Sequence, residues 1–161
     1  MAVSKLQEEL KRKQPFVSLE QETILNLLRT GDQVENRLAR FFREHDLTLS
    51  QFNLLRVLQT EGREITCGEI AERMIQVVPA ITGLVDRLER QGYVLRRRCV
   101  EDRRVVFVSI TKKGIEIIQW AFEPLIELEK QSLKRLTRSD MKELIRLLEK
   151  TRVSLEANVL S

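Results

Sequence analysis

The chain has 161 residues, 42% hydrophobic and 32% charged, with six glycines and three prolines, the composition of a single helix-rich globular domain. No run of about 18 apolar residues occurs, which excludes a membrane-spanning helix. The opening Met-Ala-Val-Ser-Lys-Leu stretch lacks the apolar core of a secretory leader, so a cytoplasmic protein is expected. One histidine, His45, and two cysteines, Cys67 and Cys99, with no CxxC pair are a poor supply for a structural zinc site.

Residues 1–16 are polar and end in Gln14-Pro15-Phe16, which predicts a partly ordered arm or a short helix. Ser18 opens a capping pattern with Gln21. Apolar positions then recur at Ile24, Leu27/Leu28, Val34, Leu38 and Phe41/Phe42, a helical spacing sustained to about Glu44. Asp46 and Thr48 punctuate. Ser50 is read as the cap of a second helix carrying Phe52, Leu55 and Leu58 and stopping near Gly62. Ile65 suits a very short strand. Thr66-Cys-Gly-Glu69 is a capping box for a helix with Ile70, Ala71 and Met74 facing inward.

Ile75 to Val77 form a turn, and Pro79 suits the first turn of the next helix, where its missing N–H costs nothing. Val78, Ile81, Leu84/Val85 and Leu88 make that helix's buried stripe, and Gly92 closes it. Residues 94–100 and 105–110 read as two strands around a charged tip, Glu101-Asp102-Arg103-Arg104. Thr111 caps a further helix expected to reach about Leu136, with a kink at Pro124. Thr137 or Ser139 caps the last, bearing Met141, Leu144, Leu148 and apolar residues to Leu160.

Charge is concentrated in this middle region. Arg87 to Lys113 holds nine basic and three acidic side chains, a net of +6, against +4 for the whole chain. Such a surface faces a polyanion, and two short helices joined by a turn and followed by a hairpin point to duplex DNA. The second helix can lie in the major groove, where base edges differ. Its outward side would present Gln76, Val77, Pro79, Ala80, Thr82, Gly83, Asp86 and Arg87. Gln76 and Thr82 can read base edges, Ala80 can touch a thymine methyl, and Arg87 reaches phosphate or pairs with Asp86. At the hairpin tip an arginine can enter a narrow minor groove. Asp102 can hold one of Arg103 and Arg104 by a forked hydrogen bond and leave the other to insert. Arg96, Arg97 and Arg98 are either phosphate contacts or the charged edge that keeps a strand from pairing. Cys99 beside them is a reactive thiol or an incidental small residue.

The stretch Pro79-Ala-Ile-Thr-Gly-Leu-Val-Asp-Arg-Leu-Glu-Arg-Gln-Gly-Tyr-Val94, with Arg96-Arg97, Asp102-Arg103-Arg104 and Val108-Ser-Ile-Thr-Lys-Lys-Gly114, resembles the MarR family of transcriptional regulators. The order of flanking helices agrees, so the resemblance covers nearly the whole chain. It implies a mainly α fold: a winged helix-turn-helix lobe with a small β-hairpin wing, flanked by N- and C-terminal dimerisation helices. The implied division is 1–46 arm and dimerisation helix, 47–111 DNA-binding lobe and 112–161 C-terminal dimerisation helices. It further implies a homodimer on a pseudo-palindromic double-stranded operator, acting as a repressor released by a small aromatic or anionic ligand. The alternative is a constitutive regulator or activator without a ligand. In relatives the ligand pocket lies between the dimer helices and the DNA lobe, where Phe41, His45, Phe52 and Arg56 are the candidates here. Two departures matter. Many relatives carry Arg or Lys where this chain has Gly83, and peroxide-sensing members use a cysteine in the first long helix, which has none here. With no Gly-rich phosphate loop, no Ser-His-Asp set and no paired metal ligands, the expectation is no enzyme, no metal and no cofactor.

Overall fold

A computed structural model describes residues 4–75, 81–102 and 104–157. Among them lie seven helices and three short strands. A short helix α1 (Lys5–Glu9), capped by Ser4, buries Leu6. The long helix α2 (Leu19–Arg43) begins at Ser18, whose hydroxyl accepts from the Gln21 amide. It ends in a Schellman turn. The Leu47 amide reaches the Phe42 carbonyl at 3.0 Å, the Asp46 amide reaches that of Arg43 at 3.2 Å, and Asp46 takes φ 53°, a left-handed position that Asp tolerates.

Helix α3 (Leu49–Glu61) is capped by Thr48, not by the expected Ser50. The Gln51 amide donates to the Thr48 hydroxyl and the Gln51 side chain accepts from the Thr48 amide, a complete capping box. Gly62 closes it at φ 63°. Strand β1 (Ile65–Thr66) leads directly into α4 (Cys67–Arg73), where the Thr66–Glu69 capping box forms as read. Ile70 is buried, but Ala71 is exposed and Met74 half-buried beyond the helix end. One turn of apolar periodicity was thus too short to fix which side faces inward.

Helix α5 (Ile81–Arg90) buries Ile81, Leu84, Val85 and Leu88; Val78 and Pro79 lie outside the described residues. Gly92, at φ 78°, completes a second Schellman turn through Tyr93 to Leu88 and Gly92 to Glu89 bonds. Strands β2 (Val94–Arg98) and β3 (Val106–Ile110) pair antiparallel, and β3 also pairs with β1, giving the order β1-β3-β2. The core of this lobe is Leu54, Leu55, Leu58, Ile65, Ile70, Val85, Leu88, Val94 and Val108.

Thr111 caps α6 (Lys112–Ser132) through the Gly114 amide, and Pro124 lies inside it. The helix stops at Ser132, short of the expected Leu136. Thr137, not Ser139, then caps α7 (Arg138–Ala157): its hydroxyl accepts from the Asp140 amide and the Asp140 carboxylate returns to Thr137. The chain divides into two compact units, Met1–Ala121 and Phe122–Ser161. In the first, Ile118 and Ala121 are buried. In the second, none of the described residues is buried. Among the described residues no helix is long and apolar enough to cross a membrane.

Candidate nucleic-acid interface

The inward stripe of α5 dictates its outward face: Thr82 and Arg87 are exposed, Gly83 and Asp86 partly so. Gln76, Val77, Pro79 and Ala80, expected on the same surface, lie outside the described residues. Among the described residues a Cβ at Gly83 would meet nothing within 4 Å, so no described side chain covers this position of the helix. Arg87 folds back along it, with Nε donating to the Gly83 carbonyl at 3.2 Å. Arg87 does not pair with Asp86, because neighbouring residues on a helix diverge. Asp86 is taken by Arg96, with Nη1 2.5 Å from Oδ1.

The hairpin sorts its arginines by strand alternation. Val94 points into the core, so Arg96, two residues on, lies on the side of α5. There its Nε donates to Glu89 Oε2 at 2.7 Å and its amide to Oε1 at 3.2 Å. The guanidinium holds the Glu89 carboxyl below its ordinary range. Arg97 lies on the other side, forked onto Glu64 and stacked on the ring of its cross-strand neighbour Phe107 at 4.9 Å. Arg97 in turn lowers the Glu64 carboxyl. Lys113 Nζ donates to the Gln91 carbonyl at 2.7 Å and so ties the base of the hairpin. Arg98, Arg104 and Lys112 differ: their charged groups make no hydrogen bond or ion pair with another described residue.

At the tip Asp102 accepts from the Arg104 amide at 2.9 Å, and its carbonyl accepts from Val105 at 3.0 Å. Asp102 thus shapes the backbone of the turn. Arg103 lies outside the described residues. Cys67 and Cys99 are free and half-buried, and burial pushes the Cys67 thiol up.

The residues expected to receive a ligand are only partly brought together. Phe41, Phe42 and Phe52 are in ring contact, with centroids at 5.0 Å and 4.5 Å, and Phe41 stands edge-on to His45 at 4.8 Å. His45 in turn meets Trp120 of α6 at 3.9 Å, and His45 Nδ1 is buried with no hydrogen-bond partner among the described residues. Arg56 lines a separate open cleft of about 330 Å³ between α3 and the end of α4, together with Val57, Glu61, Arg73 and Ile75. Sequence reading missed Trp120, because nothing local links position 120 to position 45. It also missed Glu89 and Glu64 as partners of Arg96 and Arg97. The period-two spacing from Val94 could have indicated the first of these.

A helix-turn-helix whose second helix is backed by a hairpin with free arginines along its edge and at its tip defines a winged-helix DNA-binding transcriptional regulator. Known proteins agree. The MarR family model matches residues 47–106. The chain is 31% identical over 123 residues to the HTH-type transcriptional repressor IacR of Pseudomonas putida, spanning 76% of this chain and 73% of that one. It is 29% identical over 123 residues to the homoprotocatechuate degradative operon repressor of Escherichia coli, spanning 76% and 82%. It is 37% identical to the solved MarR transcription factor of Planctomyces limnophilus, covering 84% and 98% of the chains with a TM-score of 0.67. The chain belongs to the MarR family.

Proposed function

We propose that this regulator is a cytoplasmic repressor that holds a pseudo-palindromic operator as a homodimer and releases it when a small aromatic or anionic ligand binds. The observation that carries the reading is the sorting of charge on the hairpin: Arg98 and Arg104 make no hydrogen bond or ion pair with another described residue, beside a helix whose outward face is polar. Thr82, Gly83 and Arg87 face the major groove in this reading, with Gln76, Val77, Pro79 and Ala80 ahead of them, and Arg98, Asp102, Arg103 and Arg104 form the wing contact. Dimerisation is supported by the apolar side chains that α7 leaves exposed: Leu144, Ile145, Leu147, Val153 and Leu155. A twofold dimer matches two half-sites.

Two facts support the ligand. The Escherichia coli relative is named for an operon that degrades an aromatic acid. The Phe41–His45–Trp120 cluster holds a ring nitrogen with no hydrogen-bond partner among the described residues, a group that can meet a phenol or carboxylate once the rings part. A ligand that binds there and prefers the released spacing of the lobes lowers operator affinity, and operator DNA lowers ligand affinity by the same factor.

The test begins with a duplex selected by the full-length protein from random DNA. Arg104→Ala should weaken binding and reduce the log–log salt slope by about one per site, about two per dimer. A panel of aromatic acids and phenols is then titrated while the fluorescence of Trp120, the one tryptophan, is followed. A compound that changes the emission and lowers operator affinity supports release. A panel in which none does both leaves the constitutive regulator.

A further inference from the structure

Arg96 sits where a basic wing residue is expected to touch phosphate, yet its surroundings assign it another task. Its guanidinium lies between two carboxylates of α5, at 2.5 Å from Asp86 Oδ1 and 2.5 Å from Glu89 Oε2. Its backbone amide is engaged by the same Glu89. Asp86 and Glu89 are three residues apart and so share one face of the helix. The group of three carries a net charge of −1. Turning Arg96 toward phosphate would leave two carboxylates facing each other on the helix that reads the groove. A guanidinium held by Glu89 Oε2 through Nε and by Asp86 Oδ1 through Nη1 is fixed in orientation in a way that a point charge is not. Arg97, on the opposite side of β2, is anchored as well, by a fork onto the single carboxylate of Glu64 and by the Phe107 ring.

We propose that Arg96 is a positioning residue: it clips the wing strand to the recognition helix, fixing the angle at which helix and hairpin tip meet successive grooves, and it offsets one of the two negative charges on the helix face beside the groove. Arg98, two residues farther along the same strand face, and Arg104 at the tip are left to supply the phosphate and groove contacts. This assignment rests on the reading that α5 and the hairpin face DNA, and it removes Arg96 from the direct contacts expected from sequence.

The experiment uses the full-length protein and the selected duplex, with two readouts: the salt dependence of binding, and hydrogen–deuterium exchange of residues 94–110 without DNA. Arg96→Ala and Arg96→Lys should both bind roughly tenfold more weakly than wild type, as expected for a coupled pair, with the wild-type salt slope retained. Both should speed exchange across β2 and β3 in the DNA-free protein. The lysine variant is decisive because it keeps the charge that a phosphate contact needs and loses the separate nitrogens that hold Glu89 and Asp86 together. Arg104→Ala, the control, should lower the slope and leave exchange unchanged. The proposal is overturned if Arg96→Ala lowers the slope by about one per site with wild-type exchange, if Arg96→Lys restores wild-type binding, or if neither variant changes exchange. If Arg104→Ala leaves affinity and slope untouched while both Arg96 variants loosen the strands, the clip stands and the reading of the wing as a DNA contact falls.

Discussion

The winged lobe and the C-terminal helices use similar residues to opposite effect. In the lobe, leucines, isoleucines and valines of α3, α4, α5 and the sheet are driven to 0–1% exposure at Leu54, Leu55, Leu58, Ile65, Ile70, Val85, Leu88, Val94 and Val108. Over residues 122–156 no residue is buried, and Ile145, Val153 and Leu155 stay 55%, 65% and 57% exposed. The lobe meets its own hydrophobic demand with three short helices and a sheet. Two helices alone cannot, because an apolar stripe needs a surface opposite it. The lobe is therefore a finished unit, and α7 is left with apolar side chains that the proposed dimer would cover.

The sharpest way to break this comparison is to charge the unfinished half. Ile145→Asp should abolish the proposed dimer at micromolar concentration, read as a monomer mass by light scattering. The lobe should keep its hydrogen-exchange protection. Unchanged dimer mass would show that this face of α7 lies outside the interface. In the finished half, Leu58→Ala should cost about 2–5 kcal/mol, the range for a buried leucine whose cavity collapses incompletely. Chemical denaturation of the exchange-protected lobe gives the number, and a cost near zero would contradict the packing.

The glycines sharpen the contrast between fold and surface. A Cβ at Gly114 would run into the Tyr93 carbonyl oxygen and come within 2.8 Å of Ile110 Cγ1. Gly114→Ala should therefore destabilise by about 1–3 kcal/mol. At Gly83 no described residue lies within 4 Å of an added Cβ and φ is not left-handed, so Gly83→Ala should stabilise by up to about 1 kcal/mol through helix propensity. Thermal melts of the two variants should shift in opposite directions; equal shifts would contradict the geometry.

The smallest effect concerns acid. The Thr66 amide, with Arg63 adding to it, brings the Glu69 carboxyl down to about 2 from an ordinary value of 4.5. A lowered carboxylate contributes stability that is fully present above its unfolded value and is lost as pH falls through the folded one. The advantage of wild type over Glu69→Gln should therefore hold above about pH 4.5 and shrink toward pH 2. Melting curves of both proteins across that window check it, and a gap that widens on acidification has the wrong sign.

Much of the lobe was legible because its signals are local. Thr66 and Glu69 announce a helix start, Gly62 and Gly92 announce helix ends, and the alternation after Val94 announces strands. The cap of α3 was read two residues late: Thr and Ser are both residue types that cap helices, and only the pairing with Gln51 three residues on decides for Thr48. The charge pattern located the hairpin but could not sort its arginines. That sorting depends on Glu64 and Glu89, which reach Arg97 and Arg96 only once the sheet and α5 are in place. The ligand candidates fared similarly. Phe41, His45 and Phe52 join one chain of ring contacts, but its outer member, Trp120, comes from 75 residues beyond His45. Gly114 was visible as part of a motif, while its reason, the carbonyl of Tyr93 against the first turn of α6, is tertiary.

In the proposed dimer two finished lobes, joined through the unfinished helices, read one operator together. The mass of the protein on its selected duplex, measured by sedimentation or light scattering, tests it most directly. The account requires two chains per duplex when both half-sites are present, and the same two-chain mass without DNA. A single chain bound to the intact operator, with a monomer in free solution, would contradict it.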